Sequence, residues 1–189
     1  MDESAKPKQV RANTAEKLLY AAAAEFNEHG FSGTDSNRIA RRAGFAPQTF
    51  YRWYEDKIDV FIRVYDYWEG LEAGTLMSLL ARHASDRDLA EAMVEHHRAY
   101  RIFRRSLRQL SLEHPKVRAA RAATRLRQIA RLQARSGPSV PEADFAAALL
   151  QLERLSDAVA EEELADMGLD PEGAWRALEA IIHRLRHPD

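Results

Sequence analysis

The stretch RIARRAGFAPQTFYRWYEDK, residues Arg38–Lys57, sets two short helical patterns on either side of one glycine. Ile39, Ala40 and Ala43 give the first pattern a small apolar face, and Gly44 can take the left-handed backbone that ends a helix. Phe45 is placed to fill the angle between the two. Pro47 suits the first turn of the second helix, where its missing N–H costs nothing. Phe50 and Tyr54, four apart, give that helix a buried side. Gln48, Thr49, Tyr51, Arg52 and Trp53 then point away from the core. Between residues 38 and 52 stand four arginines and no acid. Two readings compete. One is a tight helical corner with a solvated charged face. The other is a helix-turn-helix, in which one helix braces on phosphates and the second enters the major groove. The side chains favour the second: Gln and Arg pair bidentately with base edges, Thr meets a thymine methyl, and Tyr and Lys57 reach phosphates.

Working outward, every segment has helical periodicity and none alternates as a strand does. Residues 1–13, polar and holding Pro7, are expected to form a flexible arm. Thr14 reads as a cap, followed by Leu18, Leu19, Ala22 and Phe26 up to Gly30. A long helix follows from about Lys57. The next stripe is Leu89, Met93, His96, Tyr100, Phe103, Leu107 and Leu110, which predicts one continuous helix from Asp86 or Asp88 to Leu110. His96 interrupts that apolar stripe and must find a hydrogen-bond partner, whereas His97 is expected on the surface. Pro115 restarts the chain. Pro141 opens a helix expected to reach Met167-Gly168, and a last one carries Trp175, Leu178, Ile182 and Leu185. The fold class is all-α, with about nine helices: a three-helix head over 14–60 and a helical bundle over 61–189.

Composition narrows the function. The chain has 189 residues, no cysteine and a net charge of −1, so thiolate metal sites and disulfides are excluded. The near-neutral total hides segregation. Residues 101–135 hold eleven basic residues against Glu113 alone, while residues 136–189 hold twelve acids against four arginines. The arginine-rich stretch allows three roles: a solvated face, pairing with the acidic C-terminal segment, or attraction of an anionic ligand. No metal-ligand spacing, phosphate loop or nucleophile motif appears, so neither an enzyme nor a cofactor is expected. The first residues, MDESAKPKQVR, lack the apolar centre of a signal peptide, and no apolar run approaches a membrane span. A cytoplasmic protein is expected.

Residues 14–60 resemble the N-terminal DNA-binding domain of the TetR/AcrR family of transcriptional regulators, on the run AAAAEFNEHGFSGTDSNRIARRAGFAPQTFYRWYEDKIDVF. Gly30, Phe31, Thr34, Ile39, Ala40, Ala43, Gly44, Thr49, Tyr51, Tyr54 and Lys57 fall on that family's motif. The resemblance implies that Pro47, Gln48, Thr49, Tyr51, Arg52 and Trp53 enter the major groove. Thr34 and Lys57 would hold phosphates, and Asn37 would reach a base. Two positions depart from the pattern. Ser36 stands where an apolar residue is usual, which predicts looser packing of its helix. Ala46 replaces a Ser or Thr cap, a loss of about 1 kcal/mol.

The same resemblance implies a homodimer on a pseudo-palindromic operator, most commonly a repressor, with a C-terminal domain that binds a small-molecule effector; the alternative is a bundle that senses a protein partner or acts without a small-molecule effector. The helix from Lys57 would be the lever between the two parts. Tyr65, Trp68, Met93, His96, Tyr100 and Phe103 form the candidate ligand set, since pockets use large aromatics with a few polar tips. Plain core packing is the competing reading of each. Phe145, Leu149, Leu152, Val159, Trp175, Leu178 and Ile182 are the candidate dimer interface, against the alternative that they close the subunit's own core.

Overall fold

The computed structural model describes residues 5–136 and 140–187, and among them it contains ten helices and no strand. They are α1 (Ala5–His29), α2 (Ser36–Arg42), α3 (Pro47–Phe50), α4 (Lys57–Ala81), α5 (Asp86–Ala99), α6 (Arg101–Glu113), α7 (Pro115–Ser136), α8 (Glu142–Ala160), α9 (Glu163–Asp166) and α10 (Glu172–Arg186). The all-α expectation holds. No described helix is long and apolar enough to cross a membrane.

Three boundaries differ from the sequence reading. The first helix begins at Ala5, so Thr14 lies inside it and most of the expected arm is helical. Pro7 is no obstacle, because it falls in the first turn, where no N–H partner exists. The helix expected over 86–110 breaks at Tyr100 (φ −119°, ψ 23°), so α5 and α6 are separate. The helix from Pro141 stops at Ala160, not at Met167, because Glu162 takes a left-handed backbone with φ 63° and α9 follows as a single turn.

The chain divides into two compact units: Met1–Trp68 with Ile102–Val117, and Glu69–Arg101 with Arg118–Asp189. The unit that holds the three-helix head therefore also takes in α4 as far as Trp68 and most of α6. Its core is aromatic. Phe61 of α4 meets Phe26 edge-on at 5.1 Å and Phe31 at 5.3 Å, and stacks on Phe103 of α6 at 4.6 Å. Leu18, Phe26, Ile39, Phe50, Val64 and Leu107 close around it, each at 2% exposure or less. Burying each such side chain contributes about 2 kcal/mol. Gly30 (φ 69°) makes the turn after α1, and a Cβ there would meet Ser106 Oγ at 3.2 Å. That close approach lets Ser106 Oγ accept a hydrogen bond from the Phe31 N–H at 3.0 Å.

In the second unit, Leu89, Ala90 and Val94 of α5 pack with Leu152, Val159 and Ala160 of α8 and Ala174, Leu178, Ile181 and Ile182 of α10. Charged clamps flank this apolar cluster. Arg186 and His183 of α10 lie 2.6 and 3.0 Å from Asp86, and Arg87 reaches Glu179 at 3.0 Å while covering the Trp175 ring. Ser85 caps α5 through a reciprocal bond pair with Asp88.

Candidate nucleic-acid interface

The head is built so that its two short helices cannot slide. Asp35 caps α2 by accepting from the Arg38 N–H at 2.8 Å. Gly44 (φ 79°) ends it, and the Phe45 N–H returns to the Ala40 carbonyl at 2.9 Å. Ala46 gives α3 no side-chain cap, as expected, and Pro47 starts the helix. α3 continues through turns to Tyr54, whose N–H bonds the Phe50 carbonyl at 3.1 Å. Phe50 is fully buried, and the Tyr54 hydroxyl donates to the Ala15 carbonyl of α1 at 3.2 Å. With its back fixed in this way, α3 leaves Gln48, Tyr51 and Arg52 exposed and Pro47, Thr49 and Trp53 half-buried; Asn37 of α2 is also exposed.

Ser36 does not loosen α2. Its Oγ lies 2.8 Å from the Tyr51 hydroxyl, so the residue that departs from the family pattern ties α2 to the end of α3. Glu25 of α1, buried in an apolar stripe, receives Arg38 Nε at 2.9 Å and Arg42 Nη1 at 3.2 Å, and Arg42 also pairs with Glu28. Burial pushes the Glu25 carboxyl up, but the bonds from Arg38 and Arg42 outweigh it and hold the group below its ordinary range. This clamp was readable: an acid at position 25 breaks the Leu18–Ala22–Phe26 stripe three residues after Ala22.

Thr34 and Lys57, expected on phosphates, also make bonds within the head. Thr34 is 3% exposed and its hydroxyl donates to the Glu25 carbonyl at 3.2 Å. Lys57 Nζ donates to the carbonyls of Phe31 and Thr34, both at 2.8 Å, and sits 4.0 Å above the Phe31 ring. Burial lowers the Lys57 pKa. The ammonium caps the 31–34 turn, whose Phe31 carbonyl also accepts from the Thr34 N–H at 3.3 Å.

The other candidate sets fare differently. Tyr65, Trp68 and Phe103 are buried in the unit of the head, with Trp68 packed edge-on against Phe103. Met93, His96 and Tyr100 belong to the second unit, where His96 meets the Tyr100 ring at 4.8 Å. His96 is half-buried, and it is His97, expected on the surface, that is 3% exposed. The face of α5 that turns inward is Leu89, Ala90, Val94 and His97, and the expected stripe is interrupted at Tyr100. Of the dimer candidates, Phe145, Leu152, Val159, Leu178 and Ile182 are 6% exposed or less and close the subunit's own core, which leaves them no surface for a partner. Leu149 and Trp175 are half-buried. Of the arginine-rich stretch, Arg121 and Arg125 pair with Glu153, which is the pairing with the acidic segment.

A buried-backed, exposed-faced helix pair of this kind defines a helix-turn-helix DNA-binding head. Residues 18–64 match the family described as bacterial regulatory proteins, tetR family. The chain is similar in structure to a protein from Rhodococcus sp. assigned to the TetR family of transcriptional regulators, with TM-score 0.70 and 16% identity over 93% of this chain and 100% of that one. It is also similar to a transcriptional regulator from Rhodococcus sp. Rha1 (TM-score 0.66, 18% identity, 90% and 95% covered). A third likeness is to the fatty acid degradation regulator FadR from Bacillus halodurans (TM-score 0.61, 15% identity, 93% and 95% covered). No curated protein matches the chain. The chain carries the DNA-binding head of the tetR family and has the fold of that family's transcriptional regulators.

Proposed function

We propose that the protein is a homodimeric, ligand-responsive repressor that acts in the cytoplasm and leaves a pseudo-palindromic operator when a small molecule binds its C-terminal unit. The observation that carries the DNA-reading part is the exposed row Gln48, Tyr51 and Arg52 on a helix whose opposite side, Phe50 and Tyr54, is locked into the head. Two copies read two half-sites about 34 Å apart. The outward faces of α8 and α10, with Ala147, Leu150, Ala177 and Ala180 exposed, are the surfaces a second copy would cover. α4 runs through both units of the chain and is the route by which an effector would reach the head.

Selection of bound sequences from random DNA tests this reading. Wild-type protein should enrich an inverted repeat, and Gln48→Ala or Arg52→Ala should relax one or two positions in each half, at about 1–3 kcal/mol per lost base contact. No enrichment by the wild type, or an identical motif from both variants, would remove these residues from base reading.

A further inference from the structure

The end of α10 brings two imidazoles together. His183 and His187 stand four apart, which places two side chains on one face of a helix. Contrary to the expectation from sequence, this is a metal-ligand spacing. The two rings lie 4.7 Å apart, centre to centre, and are tilted by 46°. Both residues are exposed, and neither belongs to the apolar cluster of the unit. The His187 N–H bonds the His183 carbonyl at 2.9 Å, so the pair stays one helical turn apart.

Asp86, the first residue of α5, decides which nitrogen of His183 is on offer. Its Oδ2 lies 3.0 Å from His183 Nδ1, and its Oδ1 takes Arg186 Nη1 at 2.6 Å. A carboxylate paired with a guanidinium can only accept. The proton of neutral His183 therefore sits on Nδ1 and the lone pair on Nε2, on a side chain 63% exposed. Metal-bound histidines are held in this manner, with the second ring nitrogen donating to a carboxylate. The clamp between α5 and α10 does not itself call for this arrangement. Arg186 already makes it, through Asp86 and through the Ala84 carbonyl at 3.1 Å. Nor does that clamp use His187.

Two nitrogens on one ion, each at about 2.0–2.1 Å, stand about 3 Å apart. Rotation of the exposed His187 ring closes that span while His183 stays on Asp86. Among the described residues no three of His, Asp or Glu are grouped to hold an ion. The protein would thus supply two nitrogens, with water in the remaining positions. Imidazole ligands suit copper, nickel and zinc, whereas magnesium and calcium take oxygen.

We propose that His183 and His187 form a surface site for a divalent transition-metal ion, with Asp86 as the residue that orients His183. The site is independent of the DNA-reading role of the head.

The test is calorimetry on the untagged full-length protein with copper, nickel, zinc and magnesium chlorides. The expected result is one copper, nickel or zinc ion per chain, copper held more tightly than nickel, and no magnesium. His183→Ala and His187→Ala, both at exposed positions, should each weaken nickel by about tenfold or more. Asp86→Ala should weaken it about tenfold, and Asp86→Asn, which keeps an acceptor, by less. Ring-nitrogen NMR should place zinc on Nε2 of His183. Failure of all three transition ions to bind, or nickel affinity unchanged in both histidine variants, overturns the site. Magnesium bound as tightly as nickel overturns its chemistry. Zinc on Nδ1 of His183, or wild-type affinity in Asp86→Ala, overturns the orienting role of Asp86.

Discussion

Ser36 Oγ and the Tyr51 hydroxyl lie 2.8 Å apart, joining the first turn of α2 to the residue that ends α3. Tyr51 is 61% exposed, so this bond fixes the direction of an aromatic ring that otherwise stands in solvent. A ring held in place before DNA arrives loses less side-chain entropy on docking.

Ser36→Ala and Tyr51→Phe should therefore each lower operator affinity about three- to tenfold, while an exposed hydrogen bond costs the fold only about 0.5–1.5 kcal/mol. Fluorescence anisotropy and thermal denaturation read the two effects separately. Wild-type affinity in Ser36→Ala would show that the bond does not position the ring.

Lys57→Met should destabilise the head by about 2 kcal/mol, because two carbonyls lose a charged donor. The salt dependence of DNA binding should stay as in the wild type, measured from the slope of log affinity against log salt. A slope reduced by about one unit would return Lys57 to a phosphate.

The Glu25 clamp gives the fold an acid limit. Its carboxyl titrates below the ordinary value of 4.5 in the folded chain, and Asp86, held by Arg186 and His183 against the upward push of burial, titrates below 3.8. Depressed folded values mean that the stabilisation is complete above the unfolded values and is lost as pH falls through the folded ones. Denaturation midpoints followed downward from pH 6 should start to drop as the pH nears 4.5. Glu25→Gln should cost about 1–2 kcal/mol at pH 7 and make that drop shallower, since its arginine partners are partly exposed and screened.

Leu150→Arg or Ala177→Arg should yield monomers by analytical ultracentrifugation with little change in stability, because both positions face outward. Leu178→Ala, fully buried, should cost about 2–5 kcal/mol of folding free energy. Dimers that persist in both arginine variants would place the interface elsewhere.

The head was legible because its signals are local. Gly44, Pro47 and the four-residue spacing of Phe50 and Tyr54 dictate turn, helix start and buried side without reference to distant residues. Burial that depends on long-range partners is not spelled locally. Lys57 is expected at a phosphate from its residue type and place, and its bonds to carbonyls 23 and 26 residues away have no sequence signal. His97 is expected on the surface because the stripe Leu89, Met93, His96 runs beside it; the buried face of α5 is Leu89, Ala90, Val94 and His97, about one residue round the helix, and packing against α8 and α10 decides that rotation. Leu152 and Leu178 show that an apolar stripe alone does not say whether it faces its own chain or another.

Arg38 and Arg42 count toward the positive charge of the reading motif, yet both are paired with acids of α1. Ions condensed on DNA are set free only by charges that replace them at the phosphates. A guanidinium already neutralised within the protein releases none. The operator complex should accordingly tolerate salt better than a tally of the arginines in residues 38–52 implies, with Arg41 and Arg52, both exposed, left to supply most of that stretch's electrostatic grip.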